Sequence, residues 1–326
     1  MGKYGAIEVE NLSKSFDGIE AVSGISFSIG QGELFGFLGP NGAGKTTTIN
    51  MLTGLARPDF GAVRLGGIDC TSNPRAAQHL IGVVPDESNL YPELSGLENL
   101  CFCASLYGMQ KRKRQDRARE LLTLFDLAGA ANRKFGAYSK GMKRKLAIAA
   151  GIIHRPEILF LDEPTTGIDV PSARQLRQLV ADLNAAGTTI FLTTHYIEEA
   201  ERLCDRIAFL VSGRIVRIDS VERLIQPDRE RHFLQISCSE EVRDVERKLA
   251  ASFPELDFIG TGKTTIRVEA NQPLPVGPLV RSLEELGAEV VEARRLRPSL
   301  EDVFARITGI EANAMRQEKE KRGGGK

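Results

Sequence analysis

The chain has 326 residues, 42% of them hydrophobic, and its 43 basic and 43 acidic side chains cancel to a formal charge of zero. That size buries one large core or two modest ones, so about two domains are expected, and the balanced charge excludes a nucleic-acid binder held by its overall field. The five scattered cysteines read as core thiols of a reducing compartment, and with neither a signal peptide nor a run of roughly 18 apolar residues the chain reads as cytosolic, any membrane role being borrowed.

The first informative element is Leu34 to Leu38, an apolar run of strand type. Gly39-Pro40-Asn41-Gly42-Ala43-Gly44-Lys45-Thr46 follows and fits G-x-x-x-x-G-K-[ST] at every fixed position. Glycines let successive backbone N–H groups curl toward phosphate oxygens, and a helix beginning near Gly44 adds its positive dipole end. Lys45 then reaches the β- and γ-phosphates and Thr46 ligates Mg²⁺, which makes Gly39 through Thr47 the nucleotide-binding run. The stretch from there to the next strand is too long for a simple crossover, so it holds an insertion. Helices are expected over Gly96 to Tyr107 and Lys113 to Phe125, with a third starting near Ser139.

Ile158 to Leu161 reads as a buried strand ending in Asp162 and Glu163. Asp162 suits Mg²⁺, and Glu163, pointing the other way, is placed to orient or deprotonate an attacking water; a pair that merely caps the next loop is the plainer alternative. Thr189 to Thr194 is another buried strand and delivers His195 to the same sheet edge, where ligands of parallel sheets gather.

Tyr138-Ser139-Lys140-Gly141-Met142 resembles the signature segment of ATP-binding cassette (ABC) proteins, whose usual form is L-S-G-G-Q. The resemblance covers about the first 225 residues, with six motifs in register. It implies a P-loop α/β cassette, with a RecA-like core and a helical subdomain at about 90–155. It also implies an ATPase using ATP and Mg²⁺, with Lys45, Glu163 and His195 catalytic and His195 as the switch histidine. Phe16 matches the aromatic on which the family stacks adenine, or is a core aromatic. Thr166 to Asp169 looks like the loop that crosses to a partner subunit. Two copies would meet head to tail, with Ser139, Lys140 and Gly141 facing the partner's nucleotide; a homodimer is expected over a heterodimer. Asp86 stands where the family usually has a glutamine at the metal, and Lys140 replaces the first signature glycine.

Beyond Pro227 to Arg231, a polar linker, the order is strand (232–238), helix (240–252), strand (256–260), strand (264–270), helix (274–286), strand (289–295). This βαββαβ series points to a small ferredoxin-like α+β module. Residues 1–226 are therefore read as the ATP-binding domain, 227–310 as an accessory or regulatory domain, and 311–326 as a frayed tail. Pro298 to Gly309 resembles the ending of exporter ATPases of the drug, lipid, polysaccharide and sodium type. The basic runs Lys111–Arg114 and Lys143–Lys145 are either solvated helix faces or contacts for anionic lipid or an acidic partner patch. The resulting expectation is an ATP-hydrolysing subunit, peripheral at the cytoplasmic face of the membrane, that powers export by a separate transmembrane permease. The alternative is a soluble cassette ATPase of DNA repair, ribosome rescue or iron–sulfur assembly.

Overall fold

The computed structural model describes residues 5–226, 232–239, 245–260, 262–296 and 299–310. It divides into two compact units, one running to Ser220 and taking in Ile307, the other from Val221 to Arg306.

The first unit opens with β1 (Ile7–Phe16) and β2 (Ile19–Ile29), an antiparallel hairpin. Its turn is Asp17-Gly18, both at positive φ (49° and 81°), the dipeptide that such a tight turn favours. β4 (Phe60–Leu65) and β5 (Ile68–Asp69) complete this sheet in the order β2-β1-β4-β5.

A second sheet contains β3 (Leu34–Leu38), β6 (Ile81–Val84), β7 (Ile158–Asp162), β8 (Thr189–Thr194), β9 (Arg206–Val211) and β10 (Arg214–Ser220), in the order β10-β9-β3-β8-β7-β6. All of its pairings are parallel except that of β10 with β9. β3, β7 and β8 are buried at every residue, which explains their unbroken apolar runs: a parallel strand covered on both faces has no polar side to alternate with. The two sheets share one core, with Phe27, Phe35, Phe37, Phe160 and Phe191 at its centre and neighbouring ring centroids 5.3 to 6.1 Å apart. Each buried ring stabilises the fold by about 1.5–3 kcal/mol.

The insertion is helical. α1 (Lys45–Leu52) follows β3, and α2 (Gly96–Leu106), α3 (Lys111–Leu124) and α4 (Lys140–Gly151) lie between β6 and β7. Ser95 and Glu98 form a reciprocal capping box on α2, worth about 1 kcal/mol. α3 starts two residues before its expected beginning at Lys113, placing four consecutive cations in its first turn. α5 (Val170–Ala185) and α6 (Ile197–Leu203) flank β8. Cys70, Cys204 and Cys238 are buried as expected of core thiols, whereas Cys101 and Cys103 on α2 are only half-buried.

The second unit holds α7 (Val221–Ile225) and then β11 (His232–Cys238), α8 (Val245–Ser252), β12 (Asp257–Gly260), β13 (Thr265–Ala270), α9 (Val276–Glu285), β14 (Val290–Leu296) and all but the last two residues of α10 (Leu300–Thr308). Its four strands form an antiparallel sheet in the order β12-β13-β11-β14. Leu234, Ile236, Ile266 and Val268 pack with Leu249, Leu279 and Leu283 of the helices on one face. On the opposite face, by the strand's period of two, Arg267 reaches Asp302 of α10 at 2.6 Å and lies over the Phe233 ring at 4.7 Å. The expected linker at 227–231, the first five residues (240–244) of the helix expected over 240–252, and the tail from Glu311 lie outside the described residues; α8 is the rest of that helix. Among the described residues, no helix is long and apolar enough to cross a membrane.

Candidate active site

The carboxyl ends of β3, β7 and β8 adjoin one another in the parallel sheet, so the residues that follow these strands converge. After β3 the chain turns through Gly39 to Gly44 and enters α1. Two glycines there are obligatory. A Cβ on Gly39 would stand 2.2 Å from the Leu210 carbonyl oxygen, and Gly44, at φ 106°, would put one 2.4 Å from that of Ala21. Gly42 also has positive φ, 78°. Pro40, Asn41, Ala43 and Thr47 complete the loop and the first turn of α1, with Ala43 buried and the others half-buried.

Lys45 is 5% exposed. Its ammonium donates to the carbonyls of Gly39 (2.8 Å) and Pro40 (3.1 Å) and pairs with Glu163 Oε1 at 3.2 Å. The Thr46 hydroxyl donates to Asp162 Oδ2 at 2.8 Å, and the Thr193 hydroxyl holds the other oxygen. Thr46 and Asp162 thus present hard oxygen donors side by side, chemistry that suits Mg²⁺. Among the described residues no group of three or more His, Cys, Asp or Glu is placed to hold a metal, so a cation here would draw its remaining ligands from phosphate and water.

Glu163 is the strained residue of the site, with a backbone φ of 48° and a buried side chain. Its amide donates to Thr193, through both the carbonyl and the hydroxyl, each at 3.1 Å. Its Oε2 accepts from His195 Nδ1 at 2.6 Å and from the Thr166 hydroxyl at 2.8 Å. A carboxylate only accepts, so Nδ1 carries the imidazole proton. Burial pushes the Glu163 carboxyl up, but the His195 hydrogen bond, the Lys45 and His195 charges and the Thr166 hydroxyl outweigh it and hold the group far below the usual carboxylate range.

The other expected residues lie at the end of β1, at the starts of α4 and α5, and after β6. Phe16 ends β1 half-exposed, with Lys14 5.3 Å from its ring centroid, and is free to stack rather than being a core aromatic. Ser139 is the N-cap of α4, accepting from the Met142 amide at 3.2 Å, and Lys140 is exposed. A Cβ on Gly141 would lie 2.7 Å from Ser172 Oγ and 4.0 Å from Asp169 Oδ2, so the start of α4 abuts the start of α5. Asp169 caps α5, accepting from the Ser172 amide at 2.9 Å. Asp86 follows β6 as an exposed residue whose backbone carbonyl accepts from Arg144.

Three participants were not read from the sequence. Thr193 orders both acids. Glu199, 3% exposed, accepts from the hydroxyls of Thr165 (3.0 Å) and Thr194 (2.9 Å), tying the segment after Glu163 to the one before His195; burial pushes its carboxyl up. Arg144, expected with Lys143 and Lys145 on a solvated helix face or at anionic lipid or an acidic partner patch, is buried instead. The signal for it was positional: Gly141, Arg144, Ile148 and Gly151 share one helical face, and all four are buried.

A phosphate loop whose lysine meets a strand-end glutamate, itself hydrogen-bonded to histidine, defines a P-loop nucleoside triphosphatase, and a serine-capped helix inserted before the acidic strand narrows that class to the cassette type. A family model described as ABC transporter matches residues 22–166. The linearmycin resistance ATP-binding protein LnrL of Bacillus subtilis is 34% identical over 306 residues, 93% of this chain and 98% of its own. The Nod factor export ATP-binding protein I of Burkholderia lata is 36% identical, over 94% of this chain and 97% of its own. Among solved structures, the dimeric post-hydrolysis cassette MJ0796 bound to ADP and Pi superposes with a TM-score of 0.62 at 29% identity, covering 66% of this chain and 98% of that one. The chain belongs to the ATP-binding proteins of ABC transporters, and it is an ATPase.

Proposed function

We propose that two copies of this chain close head to tail around ATP and drive a separately encoded exporter permease from the cytoplasmic face of the membrane. The observation that carries the two-copy reading is the face built by the starts of α4 and α5. Exposed Ser139 and Lys140 lie beside Asp169 and Val170, the latter an aliphatic residue 78% exposed. Ser139 makes no hydrogen bond to the cluster of Lys45, Thr46, Asp162, Glu163 and His195, so its donors and the dipole end of α4 are available to a second molecule's γ-phosphate. The relatives named for antibiotic resistance and Nod factor export favour a transporter over a soluble cassette ATPase.

Within one molecule, the loop N–H groups of Gly39 to Thr47 cradle the phosphates and Phe16 stacks on adenine. Bound Mg²⁺, held by Thr46 and Asp162 with Asp86 nearby, would neutralise phosphate charge. Lys45 and His195 now lower the Glu163 pKa; drawn instead to phosphate oxygens, they release that carboxylate to accept a proton from the attacking water. Binding of ATP thereby raises the basicity of its own general base. Hydrolysis removes the shared triphosphate and the pair opens.

Affinity isolation from detergent extract tests the assignment: a polytopic membrane protein co-purifies if the chain is a transporter subunit, and a soluble complex without one contradicts it. For Asp86, the Asp86→Gln variant should shift the Mg²⁺ titration of turnover; an unchanged titration and rate would remove Asp86 from the metal site.

A further inference from the structure

Arg144 lies in the second turn of α4, five residues after the Ser139 cap, and is 7% exposed. Its guanidinium spends its donors on backbone carbonyls of two other segments. Nε donates to Pro164 O at 2.8 Å, Nη2 to Asp162 O, and Nη1 to both Pro85 O and Asp86 O. Burial pushes the guanidinium pKa down, and the nearby carboxylates of Asp86, Asp162, Glu163 and Glu199 oppose that shift. A cation in this position is costly unless its N–H groups are met, and an apolar side chain would fill the space without that cost.

The carbonyls it holds are informative. Asp162 O and Pro164 O belong to the residues immediately before and after Glu163, whose φ of 48° persists only if its surroundings over-determine it. Pro85 O and Asp86 O belong to the segment leaving β6. One planar fork therefore joins the helix that begins at Ser139, the turn that aims Glu163, and the segment that carries Asp86. Lysine cannot replace it, because an ammonium is a point donor without the fixed fork.

We infer that Arg144 is a positioning residue for hydrolysis, setting the Glu163 carboxylate in register with the Ser139 end of α4. This rests on the reading of Ser139 as the donor to a partner's nucleotide. A disturbance of α4 when two copies close is then transmitted to the acid through the two flanking carbonyls, while the phosphate loop, which Arg144 does not touch, keeps its grip on ATP.

The test compares full-length wild type with Arg144→Lys and Arg144→Gln, measuring kcat, KM for ATP and melting temperature. Gln retains an amide donor without the buried charge, so it covers the case in which Lys folds poorly. The expected result is a kcat reduced by about 10²-fold, the loss typical of a displaced catalytic group, with KM changed by less than about threefold. The decrease should persist well below the melting temperature of each variant. Wild-type kcat in a folded variant, or a loss that merely follows the unfolded fraction, overturns the inference. Wild-type kcat in Ser139→Ala, measured alongside, overturns the reading of Ser139 instead, so the two failures are distinguishable.

Discussion

Two regions of this molecule hold a buried or half-buried cation against carboxylates, and they use it differently. At the strand ends of the six-stranded sheet, Lys45 meets Glu163 with side-chain exposures of 5% and 7%. On the outer face of the C-terminal sheet, Arg267 takes Glu269 at 2.9 Å and Asp302 at 2.6 Å, with exposures between 13% and 23%. Asp302 also exchanges hydrogen bonds with Ser299, a cap at the start of α10, so the run resembling an exporter ending works here as a fastener for that helix. Backbone strain separates the two. Glu163 sits at positive φ at the convergence of three strands, and its partners Lys45 and His195 are groups a phosphate can recruit. The Arg267 network has a regular backbone, and its guanidinium is already paired with two carboxylates, hydrogen-bonding one of them, Asp302. An ion pair alone marks neither function nor structure; its backbone and the mobility of its partners decide.

The comparison is sharpened most by Glu163→Gln. Removing the base should reduce kcat by about 10³-fold while ATP is still bound, within the range for general-base catalysis, as read by steady-state turnover alongside nucleotide binding. Arg267→Ala should do the opposite. It is expected to lower stability by about 1.5–3 kcal/mol, the value of hydrogen bonds to charged groups, in chemical denaturation, while turnover per folded chain stays unchanged; a lost kcat there would break the distinction. The pH dependence of the same network has a definite sign. Burial raises the Asp302 carboxyl, but Arg267 and Ser299 overcome this and lower it. Its stabilisation is therefore complete above the unfolded carboxylate value near 4 and is lost as pH falls below it. The smallest effect is expected at Glu199. Burial raises its folded-state pKa, so its contribution is complete below the unfolded carboxylate value near 4 and fades as pH rises from there through the folded value. Glu199→Gln should cost less than about 1 kcal/mol near neutrality, the net worth of one hydrogen bond; a larger loss in thermal unfolding would mean that Glu199 does more than tie Thr165 to Thr194.

The phosphate loop was legible because Gly39 to Thr46 is contiguous and each fixed residue has its own steric or chemical reason. The strands β3, β7 and β8 were legible because a doubly covered strand leaves an apolar run. Arg144 was not, since its partners lie far along the chain and only folding brings Pro85, Asp162 and Pro164 around one guanidinium; Glu199 was not, since only folding brings Thr165 to the carboxylate that Thr194 already meets locally. Within Lys143-Arg144-Lys145, composition marks a charged run and hides that the helix turns its middle member inward. α3 likewise takes its basic first turn despite the unfavourable dipole, because Ala118, Leu121 and Leu122 bury its other end.

The central claim is that triphosphate is cleaved between two molecules. Turnover per chain, followed as the purified protein is diluted at saturating ATP and Mg²⁺, tests it most directly. Turnover that climbs with chain concentration to a plateau, and that Ser139→Ala depresses, is the predicted result. Constant turnover through the whole dilution series, indifferent to Ser139→Ala, would contradict the account.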